Sequence, residues 1–388
     1  MNNRCHECAG GRWHKRGGWA KLPPARISAM PSDAQIEQFT VADTDALLAF
    51  LREAYPDDPR KSEPAYWKWH YLENPSTSLD DVPLWVLKDA GRIVGQVATI
   101  PVTLKAGAQE RRAIWILDFI VHENYRGQRW GRRLLDTARE HCRTMIALGI
   151  NAGSTGVLNS QKWAAMGSIN RYHLLLNPGH AVKELSRLPR TLGRAVNLAY
   201  APLRPRPGKT GSGISLRAVE RFDADFDDLW RRAATQWPCA VVRRADYLDW
   251  QFARQPGKRY ETLGLWAGGR LAGYVVLFFR KPEEDGAPSP KVAISDLCYD
   301  AGAGFDVIDE LLRAALNLAL ERRAGSLVTD VLDARVEQRL VRRGFWRIKR
   351  APGFMVYSET ERDLINDPRN WFLTRADSDV SIFEHPNL

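Results

Sequence analysis

The stretch Val121-His122-Glu123-Asn124-Tyr125-Arg126-Gly127-Gln128-Arg129-Trp130-Gly131-Arg132-Arg133-Leu134-Leu135 concentrates the residue types that hold phosphate. An apolar run over 114–121 feeds a loop with two glycines and four arginines, and the loop opens a patterned helix. Glycines let backbone amides come close to a ligand. The first N–H groups of a helix lack intrahelical acceptors, and the helix dipole adds partial positive charge there. Together these features suit a pyrophosphate. Asp118 lies on the run that feeds the loop, and His122 and Glu123 follow just past it. A carboxylate there could serve as a general base. Asp118 is the first candidate base and Glu123 the next.

Two copies of one pattern must position these groups. Tyr66-Trp67-Lys68-Trp69-His70-Tyr71, then Asn74-Pro75, recurs as Tyr247-Leu248-Asp249-Trp250-Gln251-Phe252, then Gln255-Pro256. A strand, a Gly-Arg turn and a second strand follow each time: 84–88, Gly91-Arg92 and 93–100 match 263–266, Gly269-Arg270 and 271–279. The run 114–121 matches 292–299, with Asp118 and Asp296 in the same place. Helices over 132–148 and 305–323 come next, then a short strand and a helix ending in glycine, at Gly167 and Gly344. Turn glycines and changes of hydrophobic period mark the joints.

The fold expected is α/β in the broad α+β sense. Two tandem domains over 35–180 and 213–358 would each hold a mixed, mostly antiparallel central sheet flanked by helices. Residues 181–212 read as a basic, Pro-rich linker, 1–30 as a disordered basic tail and 359–388 as a C-terminal extension. Trp67, Trp69 and Tyr71 could stack on a sugar, but a pattern repeated in both halves reads first as core packing.

The loop resembles the coenzyme A loop of the GNAT acetyltransferase superfamily, whose motif Arg/Gln-x-x-Gly-x-Gly/Ala follows a strand ending in Val. Here it reads Arg126-Gly127-Gln128-Arg129-Trp130-Gly131, with Arg129 where the family has its middle glycine. The resemblance implies two tandem GNAT-like domains, the first binding acetyl-CoA. It assigns the cofactor to Phe119, Ile120 and Val121 of the strand, to Arg126, Gly127, Gln128, Arg129, Trp130, Gly131 and Arg132 of the loop, and to Asn159, a position with N-cap as its other reading. It further implies direct attack by an acceptor amine or hydroxyl on the thioester, with one strand amide facing the developing oxyanion. Such a donor contributes roughly 3–4 kcal/mol. Many family members protonate the leaving thiolate with a Tyr four residues before a glycine. Trp163 stands there, so the thiolate leaves unaided or Tyr172 approaches from elsewhere. The second half has Asp300-Ala301-Gly302-Ala303-Gly304-Phe305-Asp306 in place of the arginine loop, a charge that repels pyrophosphate. It reads as a degenerate copy. Tandem folds of this kind also resemble acyltransferases of cell-surface polysaccharide clusters. An aminoacyl transferase acting on a cell-wall precursor is one alternative. A non-catalytic scaffold, for which Arg129 and Trp163 speak, is the other.

The chain has 388 residues, 44% hydrophobic and 26% charged, which fits a soluble globular protein of about two domains. Net charge is +10, but residues 1–30 carry +5 and residues 181–210 carry +6, so the remainder is close to neutral. Nucleic acid is therefore not an expected partner. A small-molecule or sugar acceptor is. Leu185, Leu188, Leu192 and Val196 recur through the basic linker, which could lie on an anionic membrane surface; packing between the halves is the other reading. Five scattered cysteines make no disulfide framework and point to a reducing, cytoplasmic setting. Cys5-His6-Glu7-Cys8 with His14 lacks a second ligand pair, and no metal is expected.

Overall fold

Both copies of the repeat fold into the same succession of elements, apart from one additional short strand in the second. The structure is a computed structural model and describes residues 33–150, 152–179, 190–257, 260–280, 291–348 and 353–377. The first copy comprises β1 (Gln35–Gln38), α1 (Thr44–Ala54), α2 (Pro64–Tyr71), β2 (Leu84–Asp89), β3 (Arg92–Ala106), β4 (Gln109–Val121), α3 (Trp130–His141), β5 (Thr144–Leu148), α4 (Ala152–Ser160), β6 (Ala164–Ser168) and β7 (Asn170–Leu175). Helix α5 (Arg190–Tyr200) precedes the second copy. That copy comprises β8 (Ile214–Val219), α6 (Ala224–Ala233), β9 (Cys239–Val241), α7 (Ala245–Leu248, continued as a π turn over Asp249–Ala253), β10 (Tyr260–Ala267), β11 (Arg270–Arg280), β12 (Lys291–Tyr299), α8 (Val307–Glu321), β13 (Ser326–Leu332), α9 (Ala334–Arg342), β14 (Trp346–Ile348) and β15 (Gly353–Ser358). Helix α10 (Arg362–Ile365) and strand β16 (Trp371–Thr374) follow. The basic tail, Cys5 and Cys8, residues 180–189 of the linker and the last residues of the extension lie outside the described residues.

Local chemistry sets several of these boundaries. The Glu63 carboxylate accepts from the backbone N–H groups of Ala65 and Tyr66, and Pro64 takes the first helical position of α2. Asp333 caps α9 by accepting from Val336 N–H, and Gly344, at φ 85°, ends it. Two helices are shorter than the sequence suggests. The one expected over 132–148 stops at His141, because all five residues of β5 are buried as a strand. The one expected to end at Gly167 stops at Ser160, and residues 164–168 form β6.

The reason for the second difference lies in a strand exchange between the copies. In the first copy β15 inserts between β5 and β6, pairing antiparallel with both. In the second copy β7 does the same between β13 and β14. Each copy thus receives the other's last strand. The cores record the trade. Phe354 and Val356 of β15 are buried with Trp115 and Ile146 of the first copy, while Tyr172 and Leu174 of β7 are buried with Val292 and Leu327 of the second. Strands β9 and β16 complete one continuous sheet in the order β6-β15-β5-β4-β3-β9-β16-β13-β12-β11-β10-β8.

The repeated aromatics meet at the centre. Trp69 and Trp250 stack with ring centroids 5.3 Å apart. Trp69 Nε1–H donates to the Trp250 carbonyl at 2.9 Å, and Trp250 Nε1–H donates to the Trp69 carbonyl at 2.8 Å. A contact made identically in both directions marks a two-fold axis, here between two halves of one chain. Trp67, Trp69, Tyr71, Trp250 and Phe252 are all buried, so the repeated pattern is core packing.

Candidate active site

The β3–β4 ladder runs in register from Ala106/Gln109 to Ala98/Leu117, then skips a residue before Gln96/Ile120. The extra residue makes a bulge at Asp118–Phe119, with Asp118 at φ 30° in the left-handed region. Asp tolerates this region better than most residues. A bulge increases local twist and bends the strand that carries it. The consequence shows on the other edge of β4. Its parallel ladder with β5 consists of Ile114/Met145 and Trp115/Ile146, while β4 runs on to Val121. From residue 116 onward the two central strands diverge, and the divergence points at the arginine loop.

Asp118 sits at the bulge with its side chain 4% exposed. Lys61 Nζ bonds one carboxylate oxygen, and Tyr71 Oη–H donates to the other at 2.7 Å. Burial alone would raise the Asp118 pKa. The Lys61 ammonium and the two hydrogen bonds outweigh it and hold the carboxyl below its usual range. Asp118 is therefore ionised at neutral pH. His70, buried behind Tyr71 with ring centroids 4.7 Å apart, is driven the other way: burial lowers its pKa to about 3, so it stays neutral. Lys61 and Tyr71 were not singled out for chemistry from the sequence. Lys61 is 57 residues from Asp118 in a short 3-10 turn, and no spacing rule joins them. Tyr71 was visible only as part of the aromatic repeat.

The loop continues from a 3-10 turn over Glu123–Tyr125 into α3. Arg126, Gln128, Arg129, Arg132 and Arg133 are exposed, and Arg126 Nε–H donates to the Val121 carbonyl at 2.9 Å. Arg129 takes φ 64° as the N-cap of α3. This is the left-handed conformation for which a glycine is the unstrained choice, and it explains the family's middle glycine. The chain departs in side chain there, not in backbone. Gly131 has a different reason: a Cβ on it would lie 3.1 Å from Phe119 Cζ. Trp130 is buried against Leu87 and Val94, and Arg133 stacks over its ring at 4.2 Å. The Trp130 side chain thus anchors the loop to the fold. Phe119, Ile120 and Val121 are half-buried beside it.

Other predicted positions fall elsewhere. Glu123 is exposed on the turn, and His122 Nε2 faces Glu53 at 3.8 Å. Asn159 is exposed at the C-terminal end of α4, so it is not an N-cap. Trp163 is buried against Tyr357 of the exchanged strand β15. Tyr172 rides on β7 into the second copy, where its hydroxyl donates to Glu337 at 2.7 Å; burial and that carboxylate raise its pKa. Cys142, Cys239 and Cys298 are buried free thiols. Among the described residues no group of three or more His, Cys, Asp and Glu side chains is arranged to hold a metal.

The matching gap in the second copy is filled. There the β12–β13 ladder runs from Lys291/Ser326 to Ile294/Thr329 and stops. Strand β16 then pairs with β13 at Val331/Thr374 and Leu332/Leu373, and Ala376 N–H donates to the Ser295 carbonyl at 2.8 Å. Asp296, the counterpart of Asp118, accepts from Arg243, from Tyr274 Oη–H at 2.7 Å and from Thr374 Oγ1–H at 2.7 Å. Arg243 also bonds Asp377 at 2.6 Å. The chain's own C-terminal segment occupies the place that stays clear of β16 in the first copy.

Residues 45–161 match the sequence model of the acetyltransferase (GNAT) family. This part of the chain is similar in sequence to GNAT domains. The match spans α1 to α4, including the bulge, the loop and α3. No curated protein matches the chain in sequence. Among solved structures, Saccharomyces cerevisiae N-myristoyltransferase with bound myristoyl-CoA is similar in fold, with a TM-score of 0.58 at 14% identity over 89% of both chains. A GCN5-related N-acetyltransferase from Anabaena variabilis has a TM-score of 0.56 at 13% identity, over 83% of this chain and 72% of that one. Both likenesses extend well past residue 161, and the GNAT-like architecture therefore covers the second copy too. At 13–14% identity these likenesses are likenesses of fold.

Proposed function

We propose that the protein transfers an acetyl group from acetyl-CoA to an amine or hydroxyl of a small-molecule or sugar acceptor, using the first copy alone. One observation carries the reading: β4 and β5 part after Trp115/Ile146, and the gap leads to the arginine loop and the start of α3. Backbone amides of the loop and of the first turn of α3, with Arg126, Arg129 and Arg132, would hold the pyrophosphate. The freed edge of β4 over Phe119–Val121 would hold the pantetheine arm and present one N–H to the thioester oxygen. A cavity of about 340 Å³ lined by Arg132, Arg139, Lys162 and Arg362 adds cationic wall on the flank of α3.

The acceptor attacks the thioester carbonyl, its proton passes to a base, and the thiolate leaves. Asp118 is the candidate base. It is ionised, as a base must be, but Lys61 lowers its proton affinity, so proton uptake is coupled to loosening of the Lys61 pair. Tyr71 keeps the carboxylate oriented. The second copy binds no cofactor, because β16 and residues 375–377 fill its gap and its loop is acidic.

The test is calorimetry with acetyl-CoA on the wild type, Arg126→Glu and Gly131→Glu. The expected result is one site per chain in the wild type and none in either folded variant. Two sites, or binding that survives both substitutions, would overturn the assignment. Myristoyl-CoA, the ligand of the yeast structure, is the comparison titrant. Its preference over acetyl-CoA would replace acetyl with a long acyl chain.

A further inference from the structure

We propose that α5 docks the protein on an anionic lipid surface. This stands apart from the acyltransferase reading, since no residue of α5 belongs to the cleft.

Helix α5 faces the protein with its polar side. Asn197 Oδ1 accepts from Gly179 N–H at 2.7 Å, and Tyr200 Oη–H donates to the Leu175 carbonyl at 3.1 Å. At Gly193 the helix backbone presses on Gly179, where an added Cβ would clash with the Gly193 carbonyl oxygen. These three contacts fix the helix rotation. At about 100° per residue, Leu192, Ala199, Ala195 and Leu198 fall on an arc of roughly 120° on the opposite side. All four are exposed, Leu192 by 43% and Leu198 by 78%. Leu198 is the most exposed large apolar side chain among the described residues. Turning the helix to bury the leucines would break the Asn197 and Tyr200 bonds and the glycine contact. The apolar arc is therefore held outward.

Charge selects the occupant. Residues 190–209 carry five basic side chains and no acidic one. Arg194, on α5 beside the arc, and Arg206 and Lys209 just beyond it are exposed. Four to eight basic residues on or beside an amphipathic helix suit anionic headgroups, and an exposed leucine arc suits the acyl boundary beneath them. A second copy of the chain on this face would bring two such basic segments together and be repelled. No helix among the described residues is long and apolar enough to cross a membrane, so contact through α5 is peripheral.

The experiment is flotation of the full chain with phosphatidylcholine vesicles, with and without phosphatidylglycerol. Wild type should float with the anionic vesicles at least about tenfold more strongly than with the neutral ones. Leu192→Asp with Leu198→Asp should cut that binding at least about tenfold, while circular dichroism and acetyl-CoA affinity match the wild type. Arg194→Glu should weaken it less and make the remainder less sensitive to salt. No flotation of the wild type with anionic vesicles, or equal flotation of the double variant, would overturn the proposal. So would a wild-type dimer in sedimentation velocity that the double variant converts to monomer, which would give the face to a second copy.

Discussion

His70 offers a sharp test of how the centre of the first copy is built. Its ring is 1% exposed, packed edge-on to Tyr71 and near Trp69 and Trp250. Burial lowers its pKa from 6.5 to about 3; Asp118 pulls upward and Lys61 downward by smaller amounts. Between about pH 3 and 6.5 the unfolded chain binds a proton here that the folded chain refuses, so stability at this position rises with pH across that window and is lost on acidification. Going from pH 7.5 to 5.5, the unfolded histidine charges almost fully while the folded one stays neutral. The linkage is then about 1.4 kcal/mol, from 1.36 kcal/mol per pKa unit. Any folded pKa well below 5.5 gives the same figure. Urea unfolding followed by tryptophan fluorescence at the two pH values, on the wild type and on His70→Phe, isolates it. Phe keeps a ring in the aromatic cluster and removes the titration. His141 and His173, whose pKa values burial also lowers, act equally in both proteins and cancel. The wild type should lose about 1.4 kcal/mol more than the variant on acidification. Equal losses would show that His70 titrates normally in the folded chain, and the reasoning about its burial would fail.

Four further outcomes follow from the same geometry. Arg129→Gly relieves a left-handed backbone and should stabilise the fold by about 1 kcal/mol in urea unfolding. Asp118→Asn removes the buried carboxylate charge that Lys61 Nζ bonds and should cost about 3–5 kcal/mol, so its turnover must be measured per folded molecule; Lys61→Met together with Asp118→Leu should recover much of that stability in the same titration. Trp250→Ala removes half of the reciprocal stack and should cost about 3–5 kcal/mol, read as a shift in the unfolding midpoint. A fragment ending at residue 212 lacks β15, which β5 and β6 need, and should show no cooperative unfolding transition by circular dichroism.

The repeat, the loop and the pairing of Asp118 with Asp296 were legible because each is local or periodic. The spacing of Tyr66, Trp69 and Tyr71 recurs 181 residues on as Tyr247, Trp250 and Phe252, and the same offset separates the two tryptophans that bond each other. Strand exchange was not legible. Residues 164–168 carry a turn glycine and a partner, β15, that lies nearly two hundred residues away, so no window of neighbouring sequence could show a strand there. The bulge was also hidden. No residue in 114–121 is a glycine or proline that would announce the extra residue. Lys61 was missed for a related cause: a lysine in a polar turn reads as solvated until the fold buries it on a carboxylate.

The two copies share one architecture, and their difference shows what an open central gap demands. Parting β4 from β5 takes backbone groups at the bulge out of the ladder, and unpaired polar groups near a core are costly. In the second copy that cost is removed by β16, whose backbone bonds β13, and by the Ala376 amide just after it, which bonds β12. The buried charges there are closed on themselves as well, with Arg243 shared between Asp296 and Asp377. In the first copy Lys61 and Tyr71 satisfy the Asp118 carboxylate, yet β16 and its bonds are absent from the gap. On our reading a bound acyl-CoA performs there what residues 371–377 perform in the second copy, by laying a chain of hydrogen-bonding groups along the freed strand edge. It follows that cofactor binding should stabilise the first copy more than the second. Hydrogen exchange with and without acetyl-CoA tests this: protection should rise at 116–121 and in the first turn of α3, and stay unchanged at 294–299. Equal gains in both copies would mean that the two gaps are not equivalent in the way the ladders indicate.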